Sequence, residues 1–136
     1  MRPPPQWATN IVEKFCYDRN IPTPEIRWRR MRKEGASGGR MVWDTPPYIY
    51  ISAGSHLIHK GRNKDDQKLT LIHELTHWSF QDKQVGHTSE FWDRAWDNYR
   101  EFKVPIRYAL TWEGWYRKEA IKAYRRNLQK RRVSNE

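Results

Sequence analysis

A chain of 136 residues is long enough for one buried core, and its single cysteine, Cys16, excludes both a disulfide framework and a cysteine-based zinc ribbon. The 26 Lys and Arg against 16 Asp and Glu leave a net charge of +10, which favours a polyanionic partner. No apolar run reaches the roughly 18 residues of a membrane span, and Met1-Arg2-Pro3-Pro4-Pro5 has no apolar stretch, so neither a transmembrane helix nor a signal peptide is expected. The expected setting is intracellular (cytoplasmic, with a nucleoid-associated or viral setting compatible), without a membrane partner, and with a monomer as the default.

In chain order, Trp7, Ile11, Val12 and Phe15 mark an N-terminal helix after the proline run, ending near Asn20, with Cys16 as a packed thiol. Ile26 and Trp28 alternate with Arg27 and Arg29, which predicts a strand with one apolar face. The glycine-rich segment 35–39 reads as a turn, and Arg40 to Trp43 as the returning strand. Asp44-Thr45-Pro46-Pro47 breaks the pattern before Tyr48–Ser52, the clearest strand. From Ala53 to Lys64 runs a connecting loop in which His56 and His59 read as exposed polar residues.

The segment from Lys68 to Phe80 carries apolar residues at helical spacing, after helix-start signals in Asn63-Lys64-Asp65-Asp66. Leu69, Ile72, Thr76 and Phe80 form one stripe, and Leu71, Leu75 and Trp78 widen it, so this helix is expected to be buried on most sides. Within it stands His73-Glu74-Leu75-Thr76-His77, an H-E-x-x-H pattern. Two histidines four apart share one helix face, where one Zn²⁺ accepts both imidazoles and the intervening glutamate serves as general base. Two imidazoles and a carboxylate on an apolar helix are costly to bury without such a partner.

A hydrolytic zinc site takes three protein ligands and leaves one position open. His87, following Gly86, is the first candidate for the third, with Gly86 expected to permit a close approach. Glu90 is the rival. Thr88 or Ser89 caps a second helix carrying Phe91, Trp92, Ala95, Trp96 and Tyr99, which ends at Lys103-Val104-Pro105. Arg107 or Tyr108 could supply an oxyanion donor. A last helix is expected from about Thr111 to Arg131, with Trp115, Ala120, Ile121, Tyr124 and Leu128 on one side and frayed residues from Val133.

The positive charge is clustered. One cluster comprises Arg27, Arg29, Arg30, Arg32 and Lys33. The other comprises Arg117, Lys118, Lys122, Arg125, Arg126, Lys130, Arg131 and Arg132, with Glu119 as the single acid from 117 to 132. Such density reads as a footprint for a polyanion, most often nucleic acid. Of the eight Trp residues, Trp78, Trp92 and Trp96 are expected in the core, whereas Trp28 beside arginines could stack on an unpaired base.

The element order gives an α+β fold, with an N-terminal helix, a small three-stranded antiparallel sheet, the metal helix, a third-ligand helix and a basic C-terminal helix. Tyr48–Ser52 is the expected edge strand, open to an added peptide strand.

His-Glu-Leu-Thr-His followed by Gly86-His87-Thr88-Ser89-Glu90-Phe91 resembles the SprT-like (Spartan-type) zinc metallopeptidases, whose pattern is H-E-x-x-H and then a third histidine in a G-H-G-x-x-F-like turn. The resemblance spans roughly residues 6–102. It implies a minimal zincin-like domain over residues 1–110 with a basic helix or tail over 111–136, zinc on His73, His77 and His87, and Glu74 as catalytic base. It also implies an endopeptidase that cleaves proteins bound or crosslinked to DNA. The chain departs from the pattern in a short His77–His87 gap, in Thr88 at the turn's second glycine, and in lacking a cysteine ribbon. Two other readings stay open: a nucleic-acid-binding protein with a structural zinc, and a zincin hydrolase whose substrate has no link to DNA.

Overall fold

A computed structural model describes residues 3–29, 38–52, 64–81, 85–114 and 118–134. Arg30, Arg32, Lys33, the turn at 35–37, His56, His59, Asn63, Trp115 and Arg117 lie outside the described residues. The fold is α+β, and the chain divides into two compact units, Met1–Gln84 and Val85–Glu136.

The N-terminal unit begins with helix α1, Gln6–Arg19, whose buried Ala8, Val12, Phe15 and Cys16 recur at helical spacing. Asn20 closes α1 in the left-handed region (φ 54°), with its N–H directed at the carbonyls of Cys16 and Tyr17. A short polar side chain tolerates that conformation, which explains why the helix stops there. Strands β1 (Glu25–Arg29), β2 (Gly39–Val42) and β3 (Tyr48–Ser52) follow, then helix α2, Lys64–Trp78.

The sheet is mixed rather than antiparallel, with strand order β1-β3-β2. Strand β3 runs parallel to β1, Ile26 opposite Ile49 and Trp28 opposite Ile51, and antiparallel to β2, Met41 opposite Ile49. The edge assigned to Tyr48–Ser52 is therefore corrected: β3 is central, and β1 and β2 are the edges. Composition explains the arrangement, since Ile49, Ile51 and Ser52 are all fully buried whereas β1 and β2 carry exposed Glu25, Arg29 and Arg40. The glycine-rich segment signals a reversal without naming the neighbour; Asp44–Pro47 instead makes the tight turn that pairs β2 with β3.

Helix α2 packs on β2 and β3. Gly39 makes the approach possible: a Cβ there would stand 2.6 Å from Thr70 Cγ2 and 2.7 Å from the Tyr50 carbonyl oxygen. Leu71, Ile72 and Leu75 are fully buried, each stabilising the unit by roughly 1.5–3 kcal/mol. Trp78 stacks on Trp43 at 5.4 Å, and its indole N–H donates to the Pro22 carbonyl at 2.8 Å.

The C-terminal unit contains helices α3 (Ser89–Glu101), α4 (Ile106–Gly114) and α5 (Lys118–Ser134). Thr88 caps α3 as expected, its hydroxyl accepting from the Phe91 N–H at 3.1 Å. The single last helix expected from Thr111 is corrected to two. Pro105 has no N–H to lose in a first turn and opens α4, its carbonyl accepting from Ala109 N–H at 2.9 Å. Gly114 ends α4 hard against α5, where an added Cβ would lie 2.6 Å from Ile121 Cδ1. The apolar pattern across Thr111–Leu128 is thus shared by two helices, and α5 runs on to Ser134.

Phe91, Trp92, Trp96 and Tyr99 form the core of this unit, all fully buried. The Trp96 indole donates to the Ala120 carbonyl at 2.9 Å, tying α3 to α5. No helix among the described residues is long and apolar enough to cross a membrane.

Candidate metal centre

Helix α2 sets the histidine pair. Its apolar residues bury most of its circumference, leaving His73 and His77 half-buried one turn apart. Their rings stand 5.2 Å apart at 64°, so both imidazoles project from the same side. Glu74 is only 7% exposed. A carboxylate at that depth is retained only where polar groups compensate its lost hydration. Below the pair, Thr76 donates to the Ile72 carbonyl at 2.8 Å. The helix closes at Gln81 (φ 50°), whose backbone and side-chain nitrogens both donate to the Trp78 carbonyl. His73 and His77 therefore stand on a regular, firmly ended helix.

His87 belongs to the C-terminal unit and is exposed just before the Thr88 cap. Its ring stacks on Trp92 (5.5 Å, 22°) and meets Phe91 edge-on (5.1 Å, 88°). Gly86, expected to allow a close approach, faces open space: a Cβ there would meet nothing within 4 Å. Glu90, the rival ligand, is exposed and forms an i,i+4 ion pair with Arg94 at 3.1 Å. Arg107 is exposed and Tyr108 half-buried on α4, where Tyr108 packs against Trp112.

The basic residues fall into distinct settings. Arg27 pairs with Glu25 at 3.1 Å and lies 3.6 Å over the Tyr48 ring, and Glu25 raises its pKa further above the ordinary guanidinium range. Arg29 is exposed at the end of β1. On α5, Arg126 bonds Asp93 at 2.9 Å and the Ser89 hydroxyl at 2.9 Å, and Lys130 stands 3.6 Å from Asp97. Asn127, buried between these bases in sequence, donates to Asp97 at 2.8 Å and accepts from Arg100 at 2.8 Å. Lys118, Lys122, Arg125 and Arg132 instead form an exposed row at spacings of four, three and seven residues, with Lys122 near Glu119 at 3.4 Å. Arg131 is exposed near the helix end.

Two elements escaped the sequence reading. The polar ladder of α3 and α5 was signalled by Asp93 and Asp97, four apart, matched by Arg126 and Lys130, also four apart. Trp28, considered for base stacking, is 3% exposed and packs edge-on against Trp7; among the described residues the exposed tryptophan is Trp112, 47% accessible. Trp78, Trp92 and Trp96 are core residues, as expected.

No protein-family model, no curated protein and no solved structure matches this chain.

Proposed function

We propose that this protein is a zinc-dependent endopeptidase of SprT-like type, with zinc held by His73, His77 and His87 and with Glu74 as the general base. The observation that carries the reading is the donor set. His73 and His77 turn two imidazoles to one side of α2, their rings 5.2 Å apart, and His87, after Gly86, is the third histidine of the pattern. Three neutral imidazoles suit zinc and leave a fourth position open. Zinc bound there supplies Lewis acidity for a water molecule and a peptide carbonyl.

The chain's own residues do the rest. His73 and His77 are presented by α2 in fixed register, and the buried Glu74 between them would accept a proton from the attacking water. Low exposure at Glu74 limits competition from bulk solvent and strengthens its electrostatic effect on a nearby proton.

The exposed row Lys118, Lys122, Arg125 and Arg132 supports a DNA-associated workplace, because regularly spaced cations on one helix face suit a phosphate backbone. The substrates under this reading are proteins bound or crosslinked to DNA, in an intracellular setting.

Metal analysis joined to a cleavage assay tests both parts. Wild-type protein should bind one equivalent of zinc and cut a DNA-binding protein faster when DNA is present. Glu74→Gln should keep the zinc and lose activity by about 10²–10⁴-fold. Zinc binding without DNA-stimulated cleavage would remove the DNA-linked role and keep the metal site. Absence of zinc would end the peptidase reading.

A further inference from the structure

We propose that Trp92 is a positioning residue for His87: its buried indole, squared off by Phe91, holds the exposed imidazole in one orientation ready for a metal ion. The proposal rests on the zinc reading above and adds a device to it.

The geometry lies wholly within the start of α3. An exposed histidine on a loop would ordinarily sample several rotamers, and ordering it on binding would cost affinity. Here one face of the His87 ring lies nearly parallel to Trp92, 22° between planes at 5.5 Å, while Phe91 stands perpendicular to it at 5.1 Å. Phe91 and Trp92 are themselves set at 82° and 5.0 Å, and both are fully buried. The platform cannot rearrange without disturbing the core of its unit.

The backbone beneath is fixed as well. The Thr88 N–H donates to the Gly86 carbonyl at 2.9 Å, spanning His87. Thr88 then accepts twice, through its hydroxyl from Phe91 N–H and through its carbonyl from Trp92 N–H, both at 3.1 Å. One residue therefore ties the His87 turn to both aromatic residues that contact its ring. Orientation of a ligand imidazole is commonly set by what surrounds its ring, and removing such support weakens metal binding about 10- to 100-fold.

Two measurements on the full chain test this. In the metal-free protein, nuclear magnetic resonance should find the His87 ring protons shifted upfield by the indole, and Trp92→Leu should return them towards exposed-histidine positions. In zinc titrations against a chromophoric chelator, Trp92→Leu should weaken binding about 10-fold, at the lower end for lost ligand support. Trp92→Phe, which keeps a flat aromatic face, should recover most of the loss. Circular dichroism checks that the variants are folded. Should Trp92→Leu not fold, Trp92→Phe and Thr88→Ala carry the test, the latter predicted to release the ring and weaken zinc by a smaller factor.

An unshifted His87 ring in the wild type, or wild-type zinc affinity in folded Trp92→Leu, overturns the positioning role. If the ring is shifted and His87→Ala leaves metal binding unchanged, the assignment of His87 as a zinc ligand fails and the metal-positioning role falls with it. If His87→Ala abolishes zinc binding and Trp92→Leu has no effect, only the role of Trp92 fails.

Discussion

Helices α2 and α5 are similar in length and opposite in their use of charge. Helix α2 buries Leu69, Leu71, Ile72, Leu75, Thr76 and Trp78, and among them it keeps Glu74 at 7% exposure beside two half-buried imidazoles. Helix α5 buries Ala120, Ala123 and Asn127 on one side and carries its cations at the surface. An ionisable group in the first setting is expensive and demands a reason, whereas in the second it costs almost nothing. The same residue types therefore carry different weight: three polar side chains on α2 indicate a site, and eight cations in the tail indicate only an affinity for anions.

The largest test of this contrast is stability. Leu75→Ala, at a fully buried position within the H-E-x-x-H segment, should destabilise the N-terminal unit by about 2–5 kcal/mol in chemical denaturation. Arg125→Ala, on the exposed row of α5, should change stability by no more than about 0.5 kcal/mol. A small effect at Leu75 would mean that α2 is looser than its packing on β2 and β3 implies, and the weight given to Glu74 would fall.

These settings also explain how much the sequence revealed. The helix carrying His73 and His77 was legible because local spacing alone defines it: two histidines one turn apart on an apolar helix need no tertiary knowledge. The Thr88 cap was legible for the same reason. Strand order was not, because Tyr48–Ser52 reads as a strand whether it is central or at an edge, and its partners are chosen by non-local burial. The split into α4 and α5 was missed because Pro105 can begin a helix as readily as it ends one. The two faces of α5 had only the matched spacings of Asp93 with Asp97 and of Arg126 with Lys130 as a signal, and pairing them takes the packing of α3 on α5.

That last division makes a sharper prediction than net charge does. Replacing Lys122, Arg125 and Arg132 together with Gln should lower the salt dependence of DNA binding, reducing the slope of log K against log salt by about 2–3 if all three contact phosphates. Arg126→Gln should leave that slope nearly unchanged and cost about 0–1 kcal/mol of stability, since its exposed ion pair with Asp93 is solvent-screened. Equal slopes for both variants would show that α5 acts as an undifferentiated cationic surface.

The smallest expected effect concerns Cys16, like Glu74 a buried ionisable group of the N-terminal unit. The residue is 1% exposed, and burial raises its thiol pKa from 9.0 to about 11, with Trp78 and Arg19 pulling weakly the other way. Between those values the unfolded chain has released the proton while the folded chain retains it. Stability gained from the neutral buried thiol is therefore complete below pH 9 and is lost as pH rises towards 11, by about 1–3 kcal/mol in total. Lysines and tyrosines titrate over the same range, so the informative quantity is a difference: Cys16→Ala should flatten the alkaline fall in stability relative to wild type, whatever its own packing cost. At pH 8 the thiol should react with a disulfide reagent far more slowly than a free cysteine, because the thiolate is the reactive form and is scarce there. Rapid labelling of the folded protein would place Cys16 in a solvated setting, and would weaken the view that an ionisable group in this unit must be accounted for by its surroundings.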